Sequence, residues 1–190
     1  MTATTWKIDP AHTDVQFSAK HMMVTTVRGK FHEVDGTVTI DDANPAATSG
    51  SFTVKAASLN TGFEQRDVHL RSGDFFDAEN HPEITFTVTG VAPKGGSDYS
   101  VTGDLTIREI TKPVSFAVEF LGNYQGFQGR RAGFRGTTKL NREDWGLTWN
   151  MALETGGWLV GKEIKLEIDV ALDEVLEAAA VEAETAGASA

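Results

Sequence analysis

The sequence predicts an all-β fold, an eight-stranded antiparallel barrel with one short helix capping an end. Three observations point there. Apolar and polar residues alternate with period two along most of residues 14–172. The alternation is one-sided, as in antiparallel strands with one wet face; parallel strands buried on both faces read as continuous apolar runs. About eight such runs are joined mostly by short turns, and eight strands suffice to close a sheet and abolish its edges. A two-sheet sandwich carries the same period, so alternation alone leaves barrel and sandwich both open.

The first run places Val15, Phe17, Ala19 and His21 on one face, against Asp14, Gln16, Ser18 and Lys20. A second begins near Val27 and continues without a break through Val34, Gly36, Val38 and Ile40. Phe52, Val54 and Ala56 form the next, then Ile84, Phe86 and Val88. Tyr99 to Ile107 and Val114 to Phe120 follow. Ala132 to Leu140 and Ile164 to Leu172 complete the set. By this parity Phe17, Phe31, Phe86, Phe116, Phe120 and Phe134 point inward, except where a bulge shifts the register. Glycines 36, 103 and 136 suit the bends and bulges that closure needs.

One helix interrupts the strands. Thr61-Gly-Phe-Glu64 reads as a capping box, in which the Thr hydroxyl and Glu carboxylate satisfy the helix start. The helix runs to Ser72 and stops at Gly73, read as a left-handed terminator. Residues 1–172 are thus one barrel domain, and 173–190 an acidic, Ala-rich tail expected to be disordered beyond about Ala180.

With 27 acidic against 17 basic residues and a net charge of −10, the chain lacks the clustered cations that nucleic-acid binding requires. It has no cysteine, which removes disulfides, thiolate nucleophiles and Cys-ligated metal sites. No apolar stretch is long enough for a spanning helix, and Met1 to Lys7 lacks the pattern of a secretory leader, so the expected location is cytoplasmic.

Catalytic motifs are scarce. Gly156-Gly-Trp-Leu-Val-Gly161-Lys162 mimics a P-loop, but Glu163 follows where Ser or Thr should hold magnesium, and the next segment reads as a strand. None of the five histidines forms a ligand pair in sequence. His21 on an apolar face reads as a hydrogen-bonded core residue, with haem or metal ligation, together with His69, as the alternative. His12 after Asp9-Pro10 reads as a turn contact. Arg66 and Asp67 share a helix face with Phe63 and Leu70. They read as an ion pair fixing the helix to the rim; alternatively Arg66 and His69 meet a polar or phosphorylated head group, or the cluster is catalytic. Trp145, Trp149 and Trp158 fall in one long connection, which suggests a cavity mouth or a surface touching membrane lipid.

Several ordered motifs resemble the YceI-like, polyisoprenoid-binding family. They include Ile8-Asp-Pro-Ala-His12, Gly29-Lys-Phe31 and Arg66-Asp-Val-His-Leu70 with Asp74-Phe-Phe76. Gly103-Asp-Leu-Thr-Ile107, Thr111-Lys-Pro-Val114 and Asn141-Arg142 with Asp144-Trp-Gly146 extend the likeness over about residues 6–172. The resemblance implies a lipocalin-like barrel around an apolar pore, a long isoprenoid or similar lipid inside it, and often a homodimer. It implies neither a catalytic residue nor a cofactor. The expected function is a lipid carrier, not an enzyme. Its expected ligand-contacting residues are the six phenylalanines, His21, Arg66, His69, Trp145 and Trp149. A barrel packed solid would instead mark an interaction module.

Overall fold

The computed structural model describes residues 3–126, 129–154 and 156–176. Their strands are β1 (Thr4–Ile8), β2 (Asp14–His21), β3 (Thr25–Phe31), β4 (Val34–Ile40), β5 (Ser49–Lys55) and β6 (Leu59–Asn60). After helix α1 (Glu64–Arg71) come β7 (Glu83–Gly95), β8 (Asp98–Ile107), β9 (Ile110–Gly126), β10 (Gly129–Asn141) and β11 (Val160–Glu174). The bound most distant from the sequence reading is the start, where Trp6 and Ile8 belong to a strand that the alternation pattern passed over.

These segments make a closed barrel of eight antiparallel staves, because three staves are each built from two segments. β11 pairs with β2 along Val160–Asp169 and with β1 at Leu172–Glu174, so β1 and β2 share one stave. β3 and β4 form the next, pairing with β2 and β1 respectively, and β6 and β5 form the third. β7 to β10 follow as an up-and-down meander, and β10 returns to β11. Closure of β1 against β11 removes the sheet edge along most of the barrel, leaves β6 paired on one side only, with β3, and excludes the sandwich.

The breaks have local causes. Between β1 and β2, Pro10 has no N–H to give a ladder, and Asp9 Oδ1 accepts from the Ala11 amide at 2.9 Å. His12 Nδ1 lies 2.6 Å from Asp9 Oδ2, the turn contact expected of it. The single strand expected from Val27 to Ile40 is corrected: it breaks at His32 and Glu33, whose amides donate to Ser58 Oγ at 3.2 and 3.1 Å. That serine ties the bend in one stave to the bend in the next.

Two further expectations are corrected. Gly36 sits at continuous register, not at a bulge, whereas Gly103 lies opposite the β7 bulge, where its partner Val88 is followed by a shift to Gly90. Each makes room for an aromatic ring: a Cβ at Gly103 would lie 2.4 Å from Phe86 Cζ, and one at Gly36 would lie 2.7 Å from Phe52 Cδ1. Register shifts fall at Thr89 and Lys94 in β7, at Leu121 in β9 and between Val160 and Ile164 in β11. The capping box also fails. Phe63 is the N-cap and no side chain caps the helix. Thr61 instead donates its hydroxyl to Asp67 Oδ1 at 2.5 Å, and the C-terminus ends at Ser72 without a left-handed Gly73. A carboxylate buried to 2 % exposure takes precedence over a solvent-exposed cap because an unsatisfied buried acceptor costs more than an unmade cap.

The outer wall is wet and ion-paired, as at Arg135–Asp169 and Lys139–Glu163. Two inner clusters divide the core. One surrounds Trp6, Val38 and Leu172; the other, under α1, surrounds Phe75, Phe116, Trp145 and Leu147. Most of the tail read from the sequence, 177–190, lies outside the described residues, whereas Asp173 and Glu174 belong to β11.

Candidate ligand cavity

The two clusters do not meet as a solid core. Between and around them the barrel encloses a continuous cavity of about 690 Å³. Strand alternation builds its wall: Val15, Phe17, Ala19 and His21 from β2, for example, and Val118 and Phe120 from β9. Phe17, His21, Phe31, Phe86, Phe116, Phe120, Phe134, Trp145, Trp149, Arg66 and His69 all line it. Rings pack in tilted or edge-on pairs, Phe86 on Phe116 at 5.2 Å and Phe120 on Phe134 at 5.2 Å. They coat the wall and leave the axis open.

The two ends differ. One is closed over by α1 and the connection between β10 and β11. There Gln65, Arg66 and His69 of the helix line the cavity with Phe63 and Leu70, and His21 approaches from β2. Arg66 and Asp67 form no direct ion pair, which corrects that expectation. Thr61 stands between them: Arg66 Nε donates to Thr61 Oγ1 at 2.7 Å and Arg66 Nη2 to the Thr61 carbonyl at 3.0 Å. Asp67 is turned into the base of the helix. His69 Nε2 lies 2.8 Å from Asp74 Oδ2, and its ring stands edge-on to Trp149 at 4.5 Å. Among the described residues no group of three or more His, Asp or Glu side chains is placed to hold a metal ion.

The tryptophans divide. Trp145 is buried, with Nε1 donating to the Leu105 carbonyl at 3.0 Å. Trp149 lines the cavity, whereas Trp158 is 53 % exposed. Beside Trp158 lies the tip of the β2–β3 hairpin, where Met22 and Met23 both take left-handed φ angles of 50° and 61°. The Met22 amide donates to the Leu159 carbonyl at 2.8 Å, so this tip and the long connection make one rim. Gly156 and Gly157, from the P-loop look-alike, belong to that rim, and the strand β11 follows them where a P-loop needs a helix.

Arg142 is the lining residue whose role the sequence reading missed. It shares the inward parity of Leu140, which was the available signal. It is 5 % exposed and ties the connection down through the Gly161 and Leu147 carbonyls, Nε to Gly161 O at 3.0 Å. Burial pushes its guanidinium below the usual arginine range, countered in part by the charge of Glu143.

At the opposite end Asp41, Asp42, Tyr99 and Asn123 line the opening. Arg130 also lines it and stacks 5.1 Å above the Trp6 ring. Glu174 grips that arginine in bidentate fashion, at 3.1 and 3.0 Å. The bond raises the Arg130 pKa and holds the Glu174 carboxyl below its usual range. Next to it, Arg131 reaches Asp9 at 2.8 Å. Two consecutive arginines of β10 therefore clasp the seam where β1 closes against β11.

Fold and cavity define a class: a closed, up-and-down antiparallel barrel with an apolar interior chamber and one helical lid. Within that class, the YceI-like domain model matches residues 6–172, and the chain belongs to that family. A UPF0312 protein of Staphylococcus aureus (strain MSSA476) is 39 % identical over 166 residues, covering 86 % of this chain and 94 % of that protein. Among solved structures, BcnA of Burkholderia cenocepacia superposes with a TM-score of 0.74 at 27 % identity, over 86 % of this chain and 98 % of that one. The YCEI protein of Campylobacter jejuni gives 0.70 at 32 % identity, over 89 % and 97 %. A polyisoprenoid binding domain from Saccharophagus degradans shares the fold, at a TM-score of 0.65 and 13 % identity, over 92 % and 100 %.

Proposed function

We propose that this protein binds one long apolar lipid, a polyisoprenoid or a tail of similar length, inside the barrel and carries it through water. The observation that carries this reading is the unfilled apolar cavity of about 690 Å³ along the barrel. Protein interiors close-pack, so a void of this size in a small domain is not a packing defect. At roughly 30 Å³ per methylene-sized group, the share of one liquid water, it accommodates about twenty carbons, or about four prenyl units. Each buried carbon contributes about 0.8 kcal/mol, so a few prenyl units outweigh the cost of immobilising the chain without any polar contact. The polyisoprenoid binding domain that shares this fold supports the same choice of ligand.

The carrier takes up its lipid at the helix end, touching a membrane surface with the rim of Met22, Met23, Val24 and Trp158. All four side chains are exposed apolar groups beside the cavity wall. The reading is a binding role, not a catalytic one: Asp67 and His69 are engaged by Thr61 and Asp74 in holding the lid.

Organic extraction of protein purified from its native host, followed by mass spectrometry, tests it. One co-purifying isoprenoid or long-chain lipid per barrel is expected, and delipidated protein should melt at higher temperature when prenyl lipids are added. A preparation without any bound hydrophobe, and without that stabilisation, would overturn the carrier reading.

A further inference from the structure

Sulfur is confined to one place on the described molecule. The chain has no cysteine, so its four methionines carry all of it. Met1 apart, these are Met22, Met23 and Met151, which are 46 %, 62 % and 55 % exposed. None of the three lines the cavity, and none belongs to either core cluster. Methionine is ordinarily a gap-filler of apolar interiors, so a barrel that keeps every described thioether outside its wall is unusual.

The three share one patch. The Met22 amide donates to the Leu159 carbonyl at 2.8 Å, and the Leu159 amide to the Met151 carbonyl at 2.9 Å. The β2–β3 hairpin tip and both limbs of the long connection therefore form a short ribbon. The Met23 thioether lies over Gly157, where a Cβ would stand 2.8 Å from Sδ. Met22 and Met23 take consecutive left-handed φ angles in a turn whose Val24 amide donates to the His21 carbonyl at 3.2 Å. Such a turn favours Asn-Gly, and long side chains strain its backbone. The hairpin tolerates that strain and presents two thioethers to the outside.

From this segregation we propose that Met22, Met23 and Met151 are a peroxide-sensitive modification site, whose oxidation to sulfoxide detaches the protein from lipid surfaces and leaves the barrel intact. The inference extends the membrane-docking step of the carrier reading and rests on it. In each thioether a sulfur lone pair attacks one oxygen of hydrogen peroxide. The S–O bond forms as the O–O bond breaks, and the departing hydroxide takes the proton from the transferred oxygen. Sulfur is oxidised, the peroxide is reduced, and water leaves. The sulfoxide is polar, so the rim loses the apolar area that seats it in a bilayer. Among the described residues the cavity wall holds no sulfur and is untouched. A thiol-dependent sulfoxide reductase reverses the change.

The test is sedimentation of the full chain with vesicles of phosphatidylcholine and phosphatidylglycerol, before and after dilute hydrogen peroxide. Peptide mass spectrometry should find one added oxygen on each of Met22, Met23 and Met151. The vesicle partition coefficient should fall about tenfold or more, since losing the burial of a few methylene-sized groups suffices. Reductase treatment should restore it. In Met22→Leu/Met23→Leu/Met151→Leu the coefficient should be the same before and after peroxide, which separates these thioethers from Trp158. Met22→Gln/Met23→Gln should partition like oxidised wild type with no peroxide present. Vesicle binding that survives complete oxidation, or a leucine variant that loses as much on oxidation as wild type does, overturns this inference alone. Untreated protein that ignores vesicles overturns the docking step and this inference together, and leaves the cavity reading standing.

Discussion

Replacing Gly136 by phenylalanine plugs the chamber without disturbing its wall. Gly136 lies midway along β10, opposite Val118 and Ile168, and lines the cavity. A Cβ there meets Phe116 and Val118 at 3.7 Å, ordinary contact, and the backbone is not left-handed. The benzyl group brings seven carbons, which take about 200 Å³ at roughly 30 Å³ each, out of a cavity of about 690 Å³. A tail that filled the wild-type chamber loses burial of about as many carbons, about 6 kcal/mol gross at 0.8 kcal/mol apiece. Partial repacking reduces that, and a loss of about 3 kcal/mol is already a hundredfold in affinity. The expected result is a hundredfold weaker affinity for the longest prenyl alcohol that wild type accommodates, and little change for one shorter by one or two prenyl units. A chain-length series by displacement of a fluorescent lipid measures this. The melting temperature should hold or rise, since Gly in a strand costs about 0.5–1 kcal/mol and the added ring is buried. A folded variant that binds every chain length as wild type does would refute the axial-chamber reasoning.

Asp67→Ala removes the acceptor for the Thr61 amide and hydroxyl, and with it the anchor of α1. It should cost about 2–3 kcal/mol in urea unfolding; a change of a few tenths would show that the lid is held otherwise. The seam is acid-sensitive. Burial opposes ionisation of Asp9, yet the His12 hydrogen bond, the Ala11 amide and the charges of His12 and Arg131 together hold its carboxyl below the usual range. Glu174 is held low by Arg130. Their stabilising contribution is therefore complete above the ordinary carboxyl values of about 3.9–4.3 and is lost as pH falls through the depressed folded values. Melting temperature should drop steeply below about pH 4, and in Asp9→Asn/Glu174→Gln that drop should be shallower from a lower neutral-pH starting point; an unchanged acid profile would contradict the clasp. Arg142→Met leaves the Gly161 and Leu147 carbonyls without their donor. Proteolysis between Leu147 and Val160 should then quicken several-fold while the barrel core stays protected, a contrast read by limited digestion and mass spectrometry.

Much of the architecture was legible because strand alternation is a local signal. Each inward phenylalanine read from the sequence faces the chamber, and the bulges at Thr89 and Leu121 fall where they do not invert those six positions. What was misread depended on partners distant in sequence. Ser58 decides that the chain bends at His32, and nothing near His32 announces a serine so far along. Thr61 and Glu64 satisfy the capping-box pattern, but buried Asp67 competes for the same hydroxyl and takes it. Gly36 looked like a bend or bulge, yet it makes room for the ring of Phe52 on the neighbouring strand. Trp6 sat in a run too short for alternation to stand out.

The sequence by itself determined most of the residues that form strands, which face of each is apolar, and that one helix interrupts them, since those follow from backbone period and side-chain polarity within a few residues. Only the tertiary structure decided that the sheet closes, with β1 meeting β11 under the clasp of Arg130 and Arg131. It alone decided that the interior is left open and that Lys20, Arg66 and Arg142 line one end while Asp41 and Asp42 line the other. The physical reason is that a void is a sum over side chains from all eight staves, and charge balance a sum over both ends of a closed tube. No window of the chain contains either sum.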